Sequence, residues 1–254
     1  MQIDFTDKRV LVTGGTRGIG RGIVEAFLRA GARVAVNGSS DESTNAAVTD
    51  LAAGDKVVAA PGSVADVDAC ERIVAAAVAG LGGLDVLVNN AGAGGGALVE
   101  DCDEALWDRV VDTNLKGLFF VTKYALPRLR ESGGNIVNIA SVNGLIGVPK
   151  GSIYCASKAG VINLTRAHAL EFGPDIRVNA VCPGGVDTDM LRNLAIRMAG
   201  SVEAGYAELN KTCAAQNRIA HVDELAGPVL YLASDIASFV TGSIHVVDGG
   251  ETID

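Results

Sequence analysis

Val10-Leu11-Val12-Thr13-Gly14-Gly15-Thr16-Arg17-Gly18-Ile19-Gly20 is the stretch from which the rest of the chain can be read. Val10–Val12 is uniformly apolar and rich in valine, as expected of a strand buried on both faces. From Ile19 onward the apolar positions take helical spacing. Between strand and helix, glycines let the chain turn sharply and bring its backbone close to a ligand. The helix N-terminus then presents unpaired N–H groups and a partial positive charge, which suit a pyrophosphate. Gly14, Thr16, Arg17, Gly18, Ile19 and Gly20 are therefore the candidate phosphate-side residues. Their spacing is Gly-x-x-x-Gly-x-Gly, not the Gly-x-Gly-x-x-Gly of the common dinucleotide fingerprint.

The same alternation of short apolar runs and helical patterns continues to the C-terminus. Candidate strands are 9–13, 33–36, 56–60, 86–89, 135–140, 177–181 and 244–247. Helical patterns occupy 19–30, 67–81, 104–130, 154–172 and 222–232, the third being one long helix or two. Repeated strand–helix units predict an α/β fold: a single-domain, Rossmann-like, doubly wound parallel sheet of about seven strands with helices on both faces. The segment 187–218 has no obvious strand and is expected to form short helices that move over a pocket. One domain, 1–254, is the simplest description.

The 254 residues carry 21 Lys and Arg against 30 Asp and Glu, a formal net charge of −9. That balance argues against nonspecific binding to nucleic acid or anionic lipid, because long-range repulsion opposes both. Hydrophobic residues make up 48%, which excludes disorder and supports a large core. No basic-then-apolar leader opens the chain, and no apolar stretch suits a membrane span. Cys70, Cys102, Cys155, Cys182 and Cys213 are widely spaced and odd in number. They read as reduced thiols without a metal site, which suggests a cytoplasmic setting. His168, His221 and His245 are scattered and read as structural.

Several further motifs follow the glycine loop in a telling order. Asn89-Asn90-Ala91-Gly92 follows the fourth strand; Asn114, Ser141 and Tyr154-Cys155-Ala156-Ser157-Lys158 come next. Pro183-Gly184 follows the sixth strand, and Asp248-Gly249-Gly250 lies near the C-terminus. Over nearly its whole length the chain resembles the short-chain dehydrogenase/reductase family, whose loop signature is Thr-Gly-x-x-x-Gly-x-Gly.

Tyr154 and Lys158 stand four apart, on one face of a helix. A tyrosine with pKa near 10 is a poor base at neutral pH, but an ammonium within about 4–6 Å lowers that value. Tyr154 is thus the candidate general acid/base beside a nicotinamide that takes or gives hydride. The resemblance implies that Ser141 hydrogen-bonds the substrate oxygen. It also implies that Asn114 holds a water joining Lys158 to a proton relay. Asn114 lies inside a helical pattern, where asparagine has low propensity.

Cofactor choice is read at Asn37-Gly38-Ser39-Ser40, after the second strand. NAD-preferring relatives place an aspartate there to accept from the ribose hydroxyls; this chain has Gly38. Arg17, Ser39 and Ser40 offer contacts to a 2′-phosphate, so NADP is favoured, with NAD the alternative. Ser63 stands where the family has an aspartate beside adenine, followed by Val64. The resemblance places Asn90, Ala91 and Gly92 by the adenosine ribose, and Pro183, Gly184, Val186 and Thr188 by the nicotinamide, together with Tyr154 and Lys158.

Val142, Leu145, Ile146, Val148, Met190, Leu191 and Leu194 predict a mostly apolar lining, and Gly94, Gly95 and Gly96 predict mobility near the substrate. A secondary alcohol or ketone of modest size is the expected substrate. The alternative is a 3-oxoacyl-[acyl-carrier-protein] reductase, although an acidic chain suits an acidic carrier poorly and only Arg128 and Arg130 suggest docking. Sugar or polyol oxidation and a catalytically silent cofactor-binding protein are further readings. The resemblance also implies a homotetramer.

Overall fold

The computed structural model describes residues 3–213 and 215–253. One seven-stranded sheet runs through it in the order β3-β2-β1-β4-β5-β6-β7. The strands are β1 (Arg9–Val12), β2 (Arg33–Val36), β3 (Val57–Ala59), β4 (Val86–Asn89), β5 (Asn135–Ile139), β6 (Arg177–Pro183) and β7 (Ile244–Val247). Every adjacent pair is parallel. Successive residues of a strand point to opposite faces. Val10, Val12, Val34 and Val36 accordingly enter one buried cluster, and Leu11 and Ala35 the other. Both faces are covered, which is why the strands read as unbroken apolar runs.

The helices are α1 (Gly18–Arg29), α2 (Asp41–Leu51), α3 (Val67–Leu81), α4 (Glu104–Val111), α5 (Gly117–Ser132), α6 (Ser152–Phe172), α7 (Asp189–Ala199), α8 (Val202–Thr212) and α9 (Val222–Ala233). Helices α1 and α9 pack together on the first face; α3 and α5 pack together on the second. Strand order reverses between β1 and β4, and the carboxyl ends of the strands at such a point are where open parallel sheets generally bind ligands.

Two elements differ from the sequence expectation, and a third settles an alternative it left open. Helix α2 carries no apolar stripe and buries only Thr44 and Ala47. It is started instead by Ser40, whose side chain accepts from the Ser43 N–H, and stopped by Ala52 at φ 49°. The 104–130 pattern is interrupted by a π turn, Asp112–Lys116, between α4 and α5. Strand β6 continues to Pro183 because Cys182 and Pro183 pair with Val246 and Val247 of β7. Segment 187–218 contains α7 and α8 as expected. No described helix is long and apolar enough to cross a membrane.

Candidate active site

The glycine loop fits the reason given for its glycines. Gly14 and Gly18 have φ of 61° and 55°, a region that L side chains rarely adopt. A Cβ on Gly14 would lie 2.8 Å from Ala91 Cα, and one on Gly20 would run into the Gly14 carbonyl and Asn90 Nδ2. Two asparagines hold the loop from opposite sides. Asn37 Oδ1 accepts from the Gly14 N–H (3.2 Å), and its Nδ2 donates to the Ala60 (2.9 Å) and Gly62 (3.0 Å) carbonyls. Asn90 Nδ2 donates to the carbonyls of Thr13 (2.9 Å) and Gly14 (3.0 Å). Thr13 Oγ1 accepts from the N–H groups of Asn90 and Ala91. The side chains of Asn37 and Asn90 are thus spent on shaping the loop.

The start of α1 has the chemistry that suits an anion. Helices α2, α3, α4, α7 and α8 each begin with a side chain capping the first turn, whereas α1 begins at Arg17 without one. Its first-turn N–H groups are left for an anion. Thr16 lies against Gly38: a Cβ there would be 2.6 Å from Thr16 Cγ2 and from Thr44 Oγ1. Ser39 is exposed, while Ser40 is committed to the α2 cap. Ile19 packs on the core, Ser63 is exposed, and Val64 is buried with its carbonyl facing Cys70 Sγ.

The expected catalytic residues converge at the carboxyl end of β5. Ser141 follows β5 directly, and its Oγ accepts from the Asn143 N–H (3.2 Å), which leaves its own proton free to donate. Ser141 is near enough to the Tyr154 phenol to pull its proton affinity down. Lys158 is buried, with Nζ 5.8 Å from the centre of the Tyr154 ring and donating to the Ile139 carbonyl (2.9 Å). Burial pulls the ammonium down to about 8. It also pushes the Tyr154 phenol above its ordinary value, against the pull of Ser141. Desolvation is the larger influence on the phenol, and the hydrogen-bonding pull of Ser141 is the smaller.

The π turn carries Asn114 inward, where it is 1% exposed. Its Oδ1 accepts from the Ala93 N–H (2.7 Å), and its Nδ2 donates to the Ala93 carbonyl (3.1 Å) and Ser157 Oγ (3.0 Å). The side chain clamps the turn after β4 to the catalytic helix. A Cβ on Gly92 would sit 3.6 Å from Asn114 Oδ1 and 3.7 Å from Lys158 Nζ. Gly92 thus lies between the neighbourhood of the glycine loop and Lys158.

On the far side, the Gly184 N–H donates to the Val247 carbonyl, placing Pro183-Gly184 over the end of β7. Val186 is buried and bridges to Ala220. Thr188 caps α7, with its Oγ1 also donating to the Val186 carbonyl. Leu145, Ile146, Met190 and Leu194 are exposed, but Val142 is buried in the core. Gly94, Gly95 and Gly96 each approach another part of the chain closely. Added Cβ atoms would lie 3.1 Å from Met190 Sδ, 2.8 Å from Arg109 Nη2 and against the Lys150 carbonyl.

Two groups escaped the sequence reading. Asp187 accepts from Arg192 Nε (2.8 Å) and Nη2 (3.0 Å) and from the Tyr206 hydroxyl (2.7 Å), tying α7 and α8 to the start of their segment. Glu251 packs on Gly184, its carboxyl pushed up by burial and by Asp248. The five-residue spacing of Asp187 and Arg192 is a faint signal; for Glu251 no spacing signal exists.

The family profile described as Enoyl-(Acyl carrier protein) reductase matches residues 14–252. L-rhamnose 1-dehydrogenase (NAD(P)(+)) of Azotobacter vinelandii is 38% identical, over 96% of both chains. The 3-oxoacyl-[acyl-carrier-protein] reductase FabG of Staphylococcus aureus is 40% identical, over 96% of this chain and 97% of its own. A glucose/ribitol short-chain dehydrogenase/reductase structure from Brucella melitensis superposes with a TM-score of 0.91 at 31% identity, covering all of both chains. With the parallel sheet, the uncapped glycine loop and matches over nearly its full length, the chain belongs to the short-chain dehydrogenase/reductase family of oxidoreductases.

Proposed function

We propose that the protein interconverts a secondary alcohol and a ketone, with NADP(H) preferred and NAD(H) the alternative cofactor. The observation that carries this reading is the meeting of Ser141, Tyr154 and Lys158 beside Gly92, next to the loop that fits a dinucleotide phosphate. When bound, the nicotinamide supplies or accepts the hydride. Ser141 Oγ–H donates to the substrate oxygen and stabilises charge that develops there. Tyr154 passes a proton between its hydroxyl and the same oxygen. The Lys158 ammonium favours the phenolate form, and Asn114 holds the turn and the catalytic helix in register. Gly38 leaves no acid to repel a 2′-phosphate, and Arg17 supports the NADP preference.

Residues 1–254 act as one domain in this reading, with 187–218 moving over the cleft. A sugar or polyol hydroxyl is the second substrate reading, supported by the rhamnose dehydrogenase relative. Reduction of a carrier-bound 3-oxoacyl group is less well supported, because Arg128 is paired with Glu131 at 2.8 Å and the net charge is −9. Exposed Phe119, Leu170 and Phe239 support a homotetramer, and the odd set of unpaired thiols supports a cytoplasmic setting. Titration of intrinsic fluorescence with NADPH and NADH, followed by turnover on sugars, simple ketones and acetoacetyl thioesters, tests the reading. Cofactor binding without turnover on any of them would overturn it.

A further inference from the structure

Arg17 is the basic residue of the glycine loop, and its guanidinium reaches out of that loop toward α7. Its Nη1 lies 3.9 Å from Asp189 Oδ2, the carboxylate of the first residue of α7. The other oxygen of Asp189 is 3.9 Å from Arg192 Nη1. Arg192 is in turn held by Asp187, which also accepts from Tyr206. Charges therefore alternate in a line from the glycine loop into the α7–α8 segment. The backbones meet at the same place, since a Cβ on Gly18 would sit 3.3 Å from Thr188 Cγ2.

The two partners of Asp189 are unequal. Arg192 has a bidentate carboxylate in Asp187 and does not depend on Asp189. Arg17 has no second acid within ion-pairing distance among the described residues. Both Arg17 and Asp189 are well exposed, with side-chain accessibilities of 81% and 59%, so their pairing is weak and reversible. An anion arriving at the uncapped start of α1 would meet Arg17 already engaged and a carboxylate of its own sign beside it.

We propose that Asp189 competes with a phosphate of the dinucleotide for Arg17. The inference rests on the reading of the glycine loop as the dinucleotide site. A phosphate oxyanion displaces the Asp189 carboxylate and takes the guanidinium. Affinity for the cofactor is thereby held below what Arg17 alone would give, and the start of α7 is released from the loop when the phosphate binds.

The test is the Kd of NADPH and of NADH for the cofactor-free enzyme, read by fluorescence at low salt. Asp189→Asn keeps the side-chain shape and removes the charge. NADPH is expected to bind about two- to fivefold more tightly to it, the scale of an exposed ion pair. The gain shrinks at 0.5 M salt, on the order of a Debye length of 4–5 Å. Asp189→Glu restores the wild-type Kd. In an Arg17→Gln background the same substitution changes nothing. Tightening of NADPH alone assigns the competition to the 2′-phosphate, and tightening of both cofactors assigns it to the pyrophosphate. An unchanged or weaker Kd in Asp189→Asn overturns the proposal, as does equal tightening in the Arg17→Gln background. Failure of the wild-type enzyme to bind either cofactor would instead sink the dinucleotide reading itself.

Discussion

Lys158 Nζ donates a 2.9 Å hydrogen bond to the carbonyl of Ile139, the last residue of β5. The ammonium is thus anchored to the sheet while it lies beside the Tyr154 ring. Its burial lowers its proton affinity to about 8 from an ordinary 10.5. Folding therefore works against a charge, and the cost has a definite pH window.

Below pH 8 both the folded and the unfolded lysine are protonated, and the folded protein carries the whole cost. Between 8 and 10.5 the folded side chain is neutral while the unfolded one still binds a proton, so stability rises with pH. Lys158→Met removes this contribution. Its stability relative to wild type should be greatest below pH 8 and should fall by at most about 3 kcal/mol toward pH 10.5. Urea unfolding of the cofactor-free proteins at several pH values measures it; a difference independent of pH would refute the assignment.

Tyr154→Phe keeps the ring against Lys158 and removes the exchangeable proton. Turnover should fall by about 10²–10⁴-fold, while the NADPH Kd stays within about twofold. Steady-state kinetics with a parallel binding titration separates the two effects. Wild-type kcat in the variant would remove Tyr154 from the mechanism.

Asn114→Ala deletes the clamp between Ala93 and Ser157 and leaves the Ala93 N–H without its partner. The expected loss is about 1–3 kcal/mol of stability. A lower kcat should accompany it, because Gly92 and Lys158 adjoin the clamp. Thermal unfolding and kinetics on one preparation check both parts.

Gly38→Asp introduces the acid that NAD-preferring relatives carry. Its Cβ would sit 2.6 Å from Thr16 Cγ2 and Thr44 Oγ1, so the loop must shift to admit it. NADPH affinity should drop about tenfold or more relative to NADH, through repulsion of the 2′-phosphate. Paired Kd measurements test this; an unchanged ratio would argue that Gly38 is remote from the phosphate.

Much of the fold was legible because it rests on local rules. The β-branched runs, the helical periods between them and the positive φ required at Gly14 and Gly18 are each set within a few residues. Helix α2 was not legible, since its polar sequence has no apolar period and is held by the Ser40 cap and by packing on β2 and β3. The close approaches at Gly94–Gly96 were not legible for a related reason. Met190, Arg109 and Lys150 come near these glycines only in the folded chain.

The sequence by itself determined the parallel architecture, the glycine turn after β1 and the order Ser141, Tyr154, Lys158, because periodicity and glycine geometry act locally. Tertiary structure alone decided that Asn37 and Asn90 brace the loop, that a π turn swings Asn114 inward, and that Arg17 leans on Asp189. It also decided that burial pushes the Tyr154 phenol up and the Lys158 ammonium down. These outcomes depend on hydrogen bonds and desolvation between residues far apart in sequence. Such pairings exist only once the sheet has brought the strand ends together.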